Sequence, residues 1–214
     1  MLASLRRRAK AVAEAVLPPS IVVWRGREQR SRVALTFDDG PGPLTMEYLD
    51  VLQRLDARAT FFLVGELCEQ YPELVRAIAA RGHELANHGY THRPFPKLRG
   101  RELSSELART QALLPAQRNG RALVRPPYGA VSPGSLLTCA REGFTTVMWS
   151  VNSGDWARHD AEEVARTFAA TSASGGDIVL LHEGQPWTMK ALPTIVGELK
   201  KAVHELVTVS ELLA

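Results

Sequence analysis

The stretch RVALTFDDGPGPLT, residues 32–45, decides the fold. Its largely apolar run, Val33 to Phe37, does not alternate with polar residues, which is the pattern of a strand covered on both faces, as in a parallel sheet. The run stops at two adjacent carboxylates, Asp38 and Asp39, and Gly-Pro-Gly-Pro then turns the chain. Two like charges so close cost stability unless something neutralises or uses them. The segment therefore reads as a buried strand that delivers charge to its C-terminal end.

The same short apolar run recurs along the chain, at Thr60–Val64, His83–Asn87, Leu123–Val124, Thr145–Ser150, Ile178–His182 and Val207–Val209. Helical spacing fills the gaps. Pro72 opens one helix, Ser132-Pro133 a second and Asp160 a third, while Gly82 and Gly143 sit where two helices should stop. Alternating strands and helices predict parallel strands with crossover helices. No Gly-rich turn follows the first strand, so a dinucleotide-binding open sheet is disfavoured.

Polar residues collect where the strands end. Asp38-Asp39 follow the first strand and His88 and His92 the third. Arg125 with Pro126-Pro127-Tyr128-Gly129 follows the fourth, Asn152 and Asp155-Trp156 the fifth, and His182 the sixth. In (β/α) barrels that face carries the active site, so a barrel is expected. His88 and His92 lie four apart, a spacing that suits a shared metal. With one carboxylate they make a two-His, one-Asp set with open positions, the catalytic style of coordination, and the metal's charge would offset the Asp38–Asp39 repulsion.

Composition narrows the alternatives. At 214 residues, 45% hydrophobic, the chain suits one domain with a full core, and it has no apolar stretch long enough to span a membrane. Cys68 and Cys139 fall in helical segments and read as buried thiols. The formal charge of +3 is uneven: residues 1–32 carry eight Lys/Arg and two Glu, leaving 18 basic and 21 acidic residues beyond. The basic character belongs to the arm, and nucleic acid is a poor partner for the main domain. The apolar run of the arm is broken by Glu14 and closed by Pro18-Pro19, so a cleaved signal is disfavoured. Leu2, Leu5, Ala9, Val12 and Val16 instead space as an amphipathic helix. Two placements are open for it, packed on its own domain or on an anionic membrane surface. The expected organisation is an arm over 1–31 and one domain over 32–214, located in the cytoplasm or peripheral to the inner membrane.

TFDDG at 36–40, HGYTH at 88–92, RPPYG at 125–129, NSGDW at 152–156 and LLH at 180–182 resemble the five ordered motifs of the NodB-type polysaccharide deacetylases, carbohydrate esterase family 4. The resemblance covers about residues 32–210. It implies a distorted (β/α)7 barrel and a divalent metal held by Asp39, His88 and His92, with zinc first and cobalt, nickel or manganese as alternatives. It also implies Asp38 as general base, His182 as general acid, Arg125 as the partner that orients Asp38, and the backbone N–H of Tyr128 as an oxyanion donor. Trp156 and Leu180 would shape an apolar slot for the acetyl methyl, with Asn152 and Asp155 beside the substrate.

One position departs from the pattern: the fourth motif commonly starts with Asp, and residue 152 is Asn. In relatives that Asp pairs with the acid histidine. Asn would orient His182 without supplying charge, so the acid's pKa should lie lower unless Asp155 compensates. His83, His159 and His204 match no catalytic position and read as structural or solvated. Phe95 and Trp187, in the flanking loops, are placed on the rim as sugar-stacking residues. The expected function is metal-dependent de-N-acetylation of an N-acetylated amino sugar in a glycan or glycolipid. The competing expectation is a carbohydrate-binding pseudoenzyme, opened by Asn152 and opposed by the complete set of ligands, base and acid.

Overall fold

The computed structural model describes residues 17–27, 31–115, 122–171, 173–202 and 205–214. The amphipathic helix expected in the arm, within residues 1–16, and His204 lie outside the described residues. No helix among the described residues is long and apolar enough to cross a membrane.

The strands are β1 (Val22–Val23), β2 (Arg32–Gly40), β3 (Thr60–Leu63), β4 (Glu84–Asn87), β5 (Ala122–Val124), β6 (Phe144–Val147), β7 (Val151–Asn152), β8 (Ile178–His182) and β9 (Glu205–Val207). They form one sheet in the order β1-β6-β5-β4-β3-β2-β8-β7, with β9 also on β2, and every ladder is parallel. The sheet curls until the segment after β1 meets the turn before β8: Arg25 bridges Asp177, and the Gly26 N–H donates to Gly176 O at 2.7 Å. This is the distorted (β/α)7 barrel expected. The crossovers are α1 (Thr45–Arg54), α2 (Gly65–Gln70), α3 (Pro72–Ala80), α4 (Gly100–Leu113), α5 (Pro133–Arg141), α6 (Ala161–Ala169) and α7 (Pro186–Ala202), and α8 (Val209–Leu213) ends the chain.

The anticipated helix signals work as expected. Pro72 and Pro133 stand in first turns, and the Asp160 carboxylate accepts the Glu163 N–H. Gly82 and Gly143, just past two helices, hold φ of 79° and 83°, which only glycine adopts without strain. Cys68 and Cys139 are buried free thiols on α2 and α5, and burial pushes their pKa values up to about 12 and about 11.

Three strand assignments change. Val22–Val23, placed in the arm, pairs with Thr146 and Val147 of β6, so part of the arm joins the sheet. The run 145–150 is not one strand: Met148 N–H goes to Val23 O, whereas Ser150 N–H goes to Ile178 O. The chain changes neighbours there, and β6 ends before β7 begins. The last strand stops at Val207 because Thr208 and Glu211 form a reciprocal capping box that starts α8.

β2 shows how the two cores divide. Val33, Leu35 and Phe37 face the helices and pack with Leu49, Leu52, Leu192 and Ile195. Ala34 faces the barrel interior with Phe62, Leu123 and Ile178. Period-two alternation therefore sends Thr36 and Asp38 inward as well, above that apolar floor. Burying each large apolar side chain contributes roughly 1.5–3 kcal/mol, which holds the polar layer rigidly in place.

Candidate active site

In a regular strand adjacent side chains point to opposite faces, so Asp38 and Asp39 should diverge. A β-bulge prevents this. Asp38 pairs with Phe62, but the next pair is Gly40 with Leu63, and Asp39 is the extra residue, with φ 74°. The left-handed turn brings the second carboxylate back toward the cleft that Asp38 already faces.

The loop after β4 brings His88 and His92 to the same point. Asp39 Oδ1 lies 3.3 Å from His88 Nε2 and 3.0 Å from His92 Nε2, and all three donors fit within 4.8 Å of one another. His88 Nδ1 lies 2.7 Å from the carbonyl oxygen of Arg125, to which it can only donate, so Nε2 offers its lone pair to the cleft. Asp39 Oδ1 is buried and accepts no hydrogen bond. Burial raises the Asp39 carboxyl, but imidazoles that carry a proton toward it outweigh this and hold the group well below the ordinary range; with both Nε2 atoms unprotonated that compensation is gone. A buried anionic oxygen facing an imidazole lone pair is the arrangement a cation stabilises. The residues present therefore fit a divalent metal.

Asp38 is held separately. Arg125 is fully buried; its Nη1 donates to Asp38 Oδ1 at 2.7 Å and to Thr36 Oγ1 at 2.8 Å. Its Nε and Nη2 donate to the carbonyls of Val147 and Met148, and its guanidinium lies 4.0 Å over the Phe62 ring. Arg125 is thus the orienting partner of Asp38, as expected. The other carboxylate oxygen, Oδ2, is 3.8 Å from His88 Nε2 and faces the cleft.

Across the cleft, His182 Nδ1 donates to Asp155 Oδ1 at 2.8 Å. Asp155 is fully buried and further accepts from the His182 N–H, Thr188 Oγ1, Ser153 Oγ and the Trp156 N–H. Burial would lower the His182 pKa; Asp155, then the charges of Asp38 and Asp39, reverse this and raise it. Asp155 therefore compensates, the alternative left open above, and the expectation that Asn152 orients His182 is corrected. Asn152 Oδ1 accepts the Gly154 N–H, which helps turn the chain at Gly154 (φ 67°) and carries Asp155 beneath His182. Asp155 is also not beside the substrate, since its oxygens are taken by protein donors.

The cleft between these groups holds about 360 Å³. Trp156 and Tyr128 stand 59% and 71% exposed at its mouth, and Leu180 lies in its wall. The Tyr128 backbone sits at φ 60°, with its ring 4.8 Å from that of His92. Asn152 lines the opening and is exposed. The rim expectations fail. Phe95 is 1% exposed and packs with Leu98, Leu103 and Leu107, while Trp187 stacks on His159 at 4.5 Å and donates Nε1 to Asp155 O, behind the site. His83 is structural: Nδ1 accepts the Ala59 N–H, and burial lowers its pKa to about 4.

Two residues that sequence reasoning passed over belong to the site's surroundings. Trp149 lines the cleft although it ends no strand. Glu183, beside His182, is buried against Gly40 and accepts from Thr45 Oγ1; burial lifts its pKa to about 7.

Comparison with known proteins identifies the family. Residues 25–147 match the family model described as polysaccharide deacetylase. A peptidoglycan-N-acetylglucosamine deacetylase of Bacillus cereus is 35% identical over 92% of this chain and 94% of its own. A chitooligosaccharide deacetylase of Bradyrhizobium is 40% identical over 72% of this chain and 71% of its own. The crystal structure of a peptidoglycan N-acetylglucosamine deacetylase superposes with TM-score 0.83 at 30% identity, covering 91% of this chain and 93% of that one. This chain belongs to the polysaccharide deacetylase family.

Proposed function

We propose that this chain hydrolyses the acetamide of N-acetylglucosamine units in a glycan of the peptidoglycan or chitooligosaccharide type, with zinc as the metal at Asp39, His88 and His92. The observation that carries this reading is that one cleft holds a three-donor metal set between two carboxyl or imidazole groups, each ordered by its own buried partner. A divalent cation held there by Asp39, His88 and His92 would supply Lewis acidity toward the acetamide carbonyl and lower the pKa of a water. Asp38, with Oδ1 tied to Arg125, presents Oδ2 toward the cleft, where it can take the proton of an attacking water. His182, with Nδ1 tied to Asp155, has Nε2 left to protonate the departing sugar amine, which an amide nitrogen requires in order to leave. As the family resemblance implies, the Tyr128 backbone N–H would donate toward the developing oxyanion, and Trp156 and Leu180, which line the cleft, would enclose the methyl.

The test is acetate release by zinc- or cobalt-loaded protein from chitooligosaccharides, peptidoglycan fragments and lipid-linked N-acetylamino sugars. Asp38→Asn is the control. Release from N-acetylglucosamine oligomers that the control loses supports the reading. Metal-loaded protein that releases acetate from none of them overturns it in favour of a binding-only role.

A further inference from the structure

The metal ligands His88 and His92 flank a three-residue loop, Gly89-Tyr90-Thr91, and the structure assigns its support to Glu106, a residue in the middle of α4. The side chain is buried at 7% exposure. Its Oε2 accepts the backbone N–H groups of Tyr90 and Thr91, both at 2.8 Å, and its Oε1 accepts Thr91 Oγ1 at 2.8 Å. Three donors of one tight loop thus converge on one carboxylate, 14 to 18 residues away in sequence from every loop atom and both histidines. Charge-assisted bonds of this kind are about twice as strong as neutral ones.

Other polar groups of the loop are held as well. The His88 N–H donates to Leu63 O, and the Gly89 N–H to Asn87 Oδ1. Gly89 O and Tyr90 O accept from Gly65 and Glu66 at the start of α2. Asn87 in turn donates to Leu107 O, so α4 holds both ends of the loop. His92 sits at φ 55°, a left-handed conformation that a non-glycine residue in a free loop would leave. Without Glu106, the two N–H groups that fix the peptide planes between the histidines would need other acceptors. His92 would then drift relative to His88 and Asp39. Glu106 is therefore a positioning residue for the metal ligands, and this inference rests on the metal reading of the site.

Two conservative substitutions separate geometry from charge. Glu106→Gln keeps the reach: its amide oxygen can accept both N–H groups, and its NH2 can meet Thr91 Oγ1. Glu106→Asp keeps the charge but is one methylene too short. Zinc affinity is measured by competition with a chelating dye, beside circular dichroism of the metal-free proteins. The expected order is wild type tightest, Glu106→Gln next, and Glu106→Asp weakest, by about 10- to 100-fold, the range found when supporting partners of metal ligands are altered. Glu106→Asp binding zinc as tightly as wild type, or Glu106→Gln binding it more weakly than Glu106→Asp, overturns the positioning role. Wild type failing to bind zinc overturns the metal reading itself and the inference with it. Thr91→Val, which removes only the Oγ1 bond, is expected to weaken binding less than Glu106→Asp.

Discussion

Asp155 grips His182 twice, Oδ1 taking the imidazole Nδ1–H at 2.8 Å and Oδ2 taking the backbone N–H of the same residue at 2.7 Å. The pair fixes ring position and charge together. Because the folded His182 pKa is raised above 6.5, the acid form persists to higher pH than a free imidazole would allow. Removing the Asp155 charge lowers that pKa, so the alkaline limb of the rate profile moves to lower pH. Asp155→Asn is expected to cut kcat by about 10²–10⁴-fold, the usual worth of a positioned general acid, and to shift the limb in that direction. Asn152→Asp is expected to move the limb less, since Asn152 is engaged with Gly154. A pH–kcat/KM series on the three proteins decides it, and a larger shift from residue 152 than from 155 refutes the assignment.

Arg125 and Asp38 form a buried pair whose worth lies in being complete. Asp38 is 4% exposed, so truncating Arg125 leaves a buried carboxylate without its cation and the Val147 and Met148 carbonyls without their donors. Arg125→Met should cost about 3–5 kcal/mol in the metal-free protein. Adding Asp38→Asn should recover part of it, because the uncompensated charge is gone. Denaturant titrations of the four members of the cycle measure this; strictly additive losses would mean the pair is not coupled.

Much of the site could be read from the chain because barrel strands end where chemistry is placed. Asp38, Asp39, His88, His92, Arg125 and His182 all announce themselves as polar residues closing apolar runs, and the structure brings them together. The bulge at Asp39 could not be read, since it depends on register against β3, a non-local property. The choice of the acid's partner stays open in the sequence for a related reason. Residues 152 and 155 are both plausible by position, and only the turn at Gly154 decides which carboxyl or amide passes under His182. Phe95 looked like a rim aromatic in a Pro-rich loop, but a short 3₁₀ turn folds it into the core under α4 and α5. Glu106 resembles any solvated helix residue until the loop that it holds is seen.

Trp156 separates binding from folding. Its ring is mostly exposed at the cleft mouth, so Trp156→Ala should change stability by no more than about 0.5 kcal/mol. Loss of an apolar wall against a small acyl group should weaken recognition by about 10- to 200-fold in kcat/KM. Steady-state kinetics beside a thermal melt test this; a large fall in melting temperature would make the residue structural.

Glu183 makes stability depend on pH in an unusual direction. Its folded pKa of about 7 lies above the ordinary carboxyl value of 4.5 because it is buried, an effect that the bond from Thr45 only partly offsets. The folded state therefore binds more protons than the unfolded state between those values, and stability falls as pH rises from about 4.5 to 7, by on the order of 3 kcal/mol. Glu183→Gln removes the titration, so in chelator-treated protein the wild type should lose stability relative to the variant across that window and stay level outside it. The same carboxyl presses on Gly40, where an added methyl would run into Oε2. Gly40→Ala should thus destabilise by about 1–3 kcal/mol, and by less in a Glu183→Ala background. Melting curves at pH 4.5, 6 and 7.5 test the first point, and curves that stay parallel for wild type and Glu183→Gln would show that the buried carboxyl does not titrate in that range.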